Sequence, residues 1–313
     1  MAGPKRVAHR FGGVWTEIKL KALNDYLAFY QEALKNQGFE TWYIDAFAGT
    51  GDRHAELTQG GIFEGNPIEH VERILDGSAR KALKIVPPFA HYWFAEQHRG
   101  RARQLEKLKS EWPYDIQIRA GEANAELRSL FAARPWSGGT TTGKQRGVVF
   151  LDPYGMSVDW ETLHVLAATQ KVDVWYLFPR AAVIHQLAND IRGIDEGKRR
   201  ALARIFGGDD WESEFYSMKP AQMSFLDETP DQSKGRHASP AQIASFARKR
   251  LGKLFCYVSE PLPLLVNGHD YFELYCLSNN RNAISLIKKG VQHVIKKYTP
   301  ASRRTSARQE GGL

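Results

Sequence analysis

A chain of 313 residues, 42% hydrophobic and 25% charged, has room for one large domain or two small ones and the composition of an ordinary globular protein. No apolar run approaches the ~18–20 residues that a membrane span needs, and the basic opening MAGPKRVAHRFGG lacks the apolar stretch of a secretory signal. Two cysteines without a CxxC pair, and 10 histidines without HxxxH or HExxH spacing, exclude a disulfide framework, leave no metal site to propose and predict a reducing, cytoplasmic setting, while a net charge of +8 leans weakly towards polyanionic partners.

Residues 15–36 place Trp15, Ile18, Leu23, Tyr26, Leu27, Tyr30 and Leu34 on one helical stripe that Gly38 stops. A buried strand, TWYIDAF (41–47), runs into the glycine turn AGTGDR, and a helix opens at Asn66-Pro67. Strand 91–97, basic helix 99–111, strand 116–121, helix 124–134, strand 148–153, helix 159–170 and strand 172–179 follow. Strands alternating with helices of this length predict a mostly parallel sheet covered on both faces. Between 181 and 252 the pattern weakens into short helices (181–194, 197–206, 240–252) and a polar loop, read as a helical insertion suited to substrate recognition. Strands 253–260 and 271–279 then pair antiparallel, helix 281–297 follows, and residues 299–313 form a basic tail. The expected division is 1–180, the cofactor-binding half; 181–252, the insertion; 253–298, the closing strands and helix; and 299–313, the tail.

Parallel α/β sheets bind ligands beyond the carboxyl ends of their strands, so those ends hold the candidates. The first strand ends in Asp45-Ala46-Phe47-Ala48-Gly49-Thr50-Gly51, where glycines let backbone approach a ligand and N–H groups face a carboxylate or phosphate. Glu96 ends the second strand, where a carboxylate can accept from both hydroxyls of a ribose. Glu122 and Asn124 follow the third strand and can read an adenine edge or simply cap the next helix. The fourth ends in Asp152-Pro153-Tyr154. The segment Gly138–Lys144 formally satisfies GxxxxGK, but Gln145 replaces the magnesium-binding Ser or Thr and the segment precedes a strand, so a P-loop is rejected.

DAFAGTG, an acid ending the second strand and DPY ending the fourth resemble a class I S-adenosylmethionine-dependent methyltransferase. More narrowly, WTEIKLKALNDYLAFYQEAL, YIDAFAGTG, GNPIEHVERIL and LDPYG resemble the three-Cys-motif partner family of bacterial and phage proteins, over roughly residues 11–180, with ELYCLSNNRNAISLIKKG continuing the likeness weakly. The resemblance implies a Rossmann-like methyltransferase fold, S-adenosylmethionine as cofactor and a three-Cys-motif protein as partner. It also implies cofactor contacts at Asp45, Phe47, Gly49, Gly51, Glu96, Glu122 and Asn124.

Methyl transfer from a sulfonium is an in-line displacement, and alignment of the acceptor is the enzyme's main contribution. An exocyclic base amine is a poor nucleophile that two hydrogen-bond acceptors can orient. Asp152 supplies a carboxylate, Pro153 a rigid carbonyl and Tyr154 a ring to stack on a base. The sequence has Asp-Pro-Tyr-Gly, without the second proline of the Asp/Asn-Pro-Pro-Tyr/Phe amino-methyltransferases, and is closer to the Asp-Pro-Phe/Tyr-Gly of tRNA guanine-N2 dimethyltransferases. Cys256 and Cys276 read as buried small residues inside late strands rather than nucleophiles. Two basic clusters, Lys198-Arg199-Arg200 and Arg248-Lys249-Arg250, are the candidate nucleic-acid contacts, and Lys288, Lys289, Lys296 and Lys297 enrich the end. Trp211, Phe215 and Tyr216 read as core. The leading expectation is methylation of a nucleic-acid base amine. Methylation of a small molecule or a protein stays open, as does a non-catalytic partner or nucleic-acid-binding module of the same fold.

Overall fold

A computed structural model describes residues 14–48, 77–136, 144–218 and 234–300. Gly49, Gly51, the helix start at Asn66-Pro67, most of the GxxxxGK segment and nearly all of the basic tail lie outside the described residues.

The first helix, α1 (Val14–Leu34), is followed by β1 (Glu40–Asp45), α2 (Ser78–Leu83), β2 (His91–Ala95), α3 (Arg99–Ser110), β3 (Asp115–Arg119), α4 (Ala123–Ala132), β4 (Gln145–Leu151), α5 (Trp160–Thr169) and β5 (Val172–Phe178). These five strands are parallel, in the order β3-β2-β1-β4-β5. Beside β5 lies the antiparallel β10 (His269–Ser278), paired in turn with β8 (Tyr257–Val258) and β9 (Leu262–Val266). The result is an 8-stranded, mostly parallel sheet with an antiparallel end, the Rossmann-like arrangement expected.

Strand alternation divides the core in two. Tyr43, Tyr92, Phe94, Val148, Phe150, Trp175, Leu177 and Cys276 face α1, α2, α3 and the last helix, α10 (Ile284–Tyr298). Trp42, Ile44, Trp93, Val149, Leu151, Val174 and Tyr176 face the other layer, which holds α4 and α5. That layer continues through α6 (Arg180–Gln186), α7 (Glu196–Phe206), α8 (Asp210–Phe215) and α9 (Pro240–Leu254). Leu202, Phe206, Trp211, Phe215, Ile243 and Phe246 join the same hydrophobic cluster as the sheet face, so the described helices of 181–252 pack as part of this layer. Trp211, Phe215 and Tyr216 are buried in it.

Three local expectations are corrected. The strand expected over 253–260 begins only at Tyr257, because α9 runs on to Leu254, and Cys256 stands exposed between them; Cys276 is fully buried. The helix expected over 181–194 breaks after Gln186 into an extended link and a short 3-10 turn at Ile191–Gly193. The Pro- and Gly-rich segment before β10 is itself a strand, β9, and makes a hairpin through Asn267 (φ 51°) and Gly268 (φ 81°). Two successive positive φ angles suit the right-handed strand twist, and Asn-Gly tolerates them better than any other pair. A two-stranded ribbon, β6 (Tyr216–Met218) with β7 (Lys234–Arg236), is also present.

Candidate functional site

The strand order reverses between β1 and β4, which opens a crevice at their carboxyl ends. Asp45 is the last residue of β1, in register with Phe94 of β2 on one side and Phe150 of β4 on the other. Glu96 stands two residues beyond Phe94, and Asp152 two residues beyond Phe150. Side chains two apart in a strand share a face, so this spacing carries both carboxylates to the side where α1 packs, flanking Asp45. Three of the acids singled out in the sequence therefore meet at one place.

Asp45 is fully buried. Its Oδ1 accepts from the Phe47 N–H at 3.3 Å and its Oδ2 from the Tyr43 hydroxyl at 3.4 Å, both long. Burial pushes the carboxyl up to about 7, with the negative charge of Asp152 adding to the rise; a hydrogen bond from Ser78, the Phe47 N–H and the Lys19 ammonium act the other way. Phe47 is buried just beyond the strand, where its N–H serves Asp45.

Glu96 is 3% exposed. Its Oε1 accepts from the His98 N–H at 2.6 Å and from Arg101 of α3 at 2.9 Å. Its Oε2 is buried without a hydrogen-bond partner among the described residues. A buried carboxylate oxygen left so costs on the order of 1–3 kcal/mol, which a hydroxyl donor would recover. The donor set thus fits a diol: one oxygen is anchored by protein and the other is left for a ligand.

Glu122 and Asn124 are used differently. Glu122 is the N-cap of α4 and accepts from the Asn124 and Ala125 N–H groups, which together with the Asn124 amide hold its carboxyl below the usual range despite an opposing contribution from partial burial. Asn124 donates to Ser157 O at 2.7 Å and to Glu122, and accepts from the Asp159 N–H and the Thr162 hydroxyl at 2.9 Å each. Both donors and its acceptor oxygen are engaged, which leaves it pinning the loop after β4 rather than reading an adenine edge. Of the two uses open in the sequence, the geometry favours the structural one for both residues.

Asp152 follows β4, Pro153 is buried beneath it, and Tyr154 is 42% exposed at the rim, accessible to a planar ligand. The sequence reading missed Lys19. Its ammonium lies 2.5 Å from Asp152 Oδ2, 5.0 Å from the Trp15 ring centroid and 6.0 Å from that of Phe150, and the residue is 4% exposed. The signal was in the helical pattern: Lys19 shares the stripe of Trp15, Ala22, Leu23 and Tyr26, a charged residue at a core position.

The basic clusters do not present themselves as expected. Lys198 donates to Gly193 O at 3.1 Å, Arg199 pairs with Glu212, and Arg200 lies 3.9 Å from Glu196. Arg248 pairs with Glu260 at 2.6 Å. Arg250 is a correction outright: it is 8% exposed and donates to Phe206 O, Gly207 O and Asp210, tying α9 to the end of α7. Only Lys249 of that cluster stands exposed without an ion pair among the described residues. On α10, by contrast, Lys288, Lys289 and Lys296 are exposed with no ion pair among the described residues.

No protein-family model and no curated protein matches the chain. Among solved structures it is similar to "Putative methyltransferase yhhF from Escherichia coli", at 11% identity over 81% of this chain and 86% of that one, with a TM-score of 0.29. It is also similar to an S-adenosylmethionine-dependent methyltransferase from Clostridium acetobutylicum, at 9% identity over 81% and 90%, with a TM-score of 0.31. Likeness at this level carries nothing about mechanism, which has to be read from the sheet and the site.

Proposed function

We propose that the chain is an S-adenosylmethionine-dependent methyltransferase that acts on an exocyclic amine of a nucleic-acid base. The observation that carries this reading is the meeting of Asp45, Glu96 and Asp152 at the β1/β4 crevice, with one oxygen of Glu96 buried and lacking a partner among the described residues. Glu96 would hold the ribose diol of the cofactor. Asp45 would face its ammonium, which would favour the ionised carboxylate there. When bound, S-adenosylmethionine supplies an electrophilic methyl group on a sulfonium. Asp152 and the Pro153 carbonyl would accept the two N–H bonds of the amine and aim its lone pair, and Tyr154, exposed beside them, would stack on the base. A base in a duplex would first be flipped out.

The sequence resemblance to the three-Cys-motif partner family supports a bacterial or phage origin and a three-Cys-motif protein as partner. The exposed lysines of α10, without ion pairs among the described residues, support a polyanionic acceptor, and they replace α7 and Arg250 of α9 as the proposed phosphate contacts. A small-molecule or protein acceptor is the second reading. It is favoured by the internal pairing of Arg199, Arg248 and Arg250, which removes much of the basic surface that the sequence offered.

Calorimetric titration with S-adenosylhomocysteine, with NAD and GTP as controls, tests the cofactor half. Saturable binding of S-adenosylhomocysteine alone is expected, weakened about tenfold in Glu96→Ala, since a charge-assisted hydrogen bond is worth about 1.5–3 kcal/mol. Folded protein that binds none of the three would overturn the reading in favour of a non-catalytic module.

A further inference from the structure

The sequence motifs leave α1 outside the chemistry, as a helix that precedes the sheet. The structure brings it in through one side chain. Lys19 occupies a core position on the stripe of α1 that covers the sheet, at 4% exposure, between the rings of Trp15 and Phe150. An apolar residue there would satisfy the packing without desolvating an ammonium, and replacing a buried ion pair by packed apolar groups is often neutral or stabilising. The ammonium is spent on one atom, Asp152 Oδ2, at 2.5 Å. Asp152 is the carboxylate that the methyl-transfer reading gives to the acceptor, and it shares the crevice with the buried Asp45.

Resting on that reading, we propose that Lys19 is a positioning residue for the reaction: it fixes the direction of the Asp152 carboxylate, so that the acceptor amine's N–H meets a set hydrogen-bond acceptor and its lone pair is aimed along the line of transfer. With Oδ2 held by Lys19, rotation of the carboxylate about its Cβ–Cγ bond is restricted, and its acceptor directions are set before the substrate arrives. Lys19 itself touches neither the acceptor nor the cofactor in this scheme. It acts through Asp152.

The test compares wild type, Lys19→Met, Lys19→Arg, Asp152→Asn and the double variant Lys19→Met/Asp152→Asn. Each is titrated with S-adenosylhomocysteine and assayed for transfer of labelled methyl to DNA and RNA oligonucleotides covering adenine, cytosine and guanine. We expect Lys19→Met to lose at least 100-fold in kcat, with KM for S-adenosylmethionine and affinity for S-adenosylhomocysteine within about fivefold of wild type. Lys19→Arg should recover to within about tenfold. The double variant should be no slower than the slower single one, because both substitutions break the same device. Lys19→Met turning over at the wild-type rate, or losses that multiply in the double variant, would overturn the proposal and leave the methyl-transfer reading standing. Should Lys19→Met fail to fold, the double variant, which buries no lone charge, decides: folded and within tenfold of the wild-type rate, it sinks the proposal. Wild type that binds S-adenosylhomocysteine yet methylates none of the oligonucleotides would overturn the base-amine reading, and the positioning role with it.

Discussion

Asp45 shows most directly what the site demands of a single residue. Its carboxyl is fully buried, its hydrogen bonds from the Tyr43 hydroxyl and the Phe47 N–H are long, and its pKa is pushed from 3.8 up to about 7 by burial. A folded-state value above the unfolded one means that the folded chain binds the extra proton between about pH 4 and 7. That contribution to stability is fully present below pH 4 and is lost as the pH rises through 7. At 1.36 kcal/mol per unit the loss is on the order of 4 kcal/mol. Asp45→Asn should therefore melt above wild type at pH 8, with the difference narrowing at pH 5 and closing below pH 4, where the carboxyl is neutral in both the folded and the unfolded chain; equal melting temperatures at pH 8 would contradict the burial described. A cationic ligand group at the site would relieve the cost of ionising Asp45 at neutral pH. Asp45, Glu96 and Asp152 were legible in the sequence because each ends a recognisable apolar strand. Lys19 was harder to see, since a lysine in a 21-residue helix reads as solvated until its stripe is checked position by position.

At the scale of elements, local chemistry and tertiary contact share the work. Ser239 and Gln242 form a capping box at the start of α9, and Gly207 ends α7 at φ 72° with no room for a side chain, because a Cβ there would lie 2.3 Å from the Trp160 ring. Gly290 in α10 is held by contact alone. A Cβ there would lie 2.3 Å from Phe29, so the glycine lets α10 pack closely on the helix that carries Lys19. Gly290→Leu should cost about 1–3 kcal/mol through overpacking and lower the melting temperature accordingly. An unchanged melt would mean that α1 and α10 do not meet at this point. The antiparallel end of the sheet was only partly legible. Asn267-Gly268 is a strong hairpin signal that identifies β9 and β10 as partners, but Pro263 and the short β9 mask it. Helix α9 overran the expected strand start because Leu251, Phe255 and the Arg250 contacts extend its packing to Leu254.

Charge is the property of the whole molecule that the sequence overstates. A formal +8 suggests broad basic surface, yet α7 and α9 neutralise much of theirs against Asp195, Glu196, Asp210, Glu212 and Glu260. If a nucleic acid is the acceptor, its phosphates should meet α10. The variant Lys288→Glu/Lys289→Glu/Lys296→Glu should weaken binding of a single-stranded oligonucleotide and flatten the slope of log Kd against log salt by about 2, at ~0.7 per phosphate contact on a single strand. Lys198→Ala/Arg200→Ala should leave that slope unchanged. The reverse pattern would return the contact to α7, and no salt dependence in wild type would favour a small-molecule or protein acceptor.

The sequence by itself determined the α/β alternation, the strands that end in acids and the burial of Leu23, Tyr26, Leu27, Tyr30, Trp211, Phe215 and Tyr216, because periodicity and turn chemistry are local; Trp15, Ile18 and Leu34 of the same stripe are only half-buried. It also determined that Asp45, Glu96 and Asp152 would lie at strand ends. Only the tertiary structure decided that they meet on one face around a strand-order reversal, that a lysine from α1 completes the group, and that Glu122, Asn124 and Arg250 are spent on capping, pinning and bracing. Those outcomes depend on which partner each polar atom finds across the fold, a long-range choice that neither helix period nor strand alternation encodes.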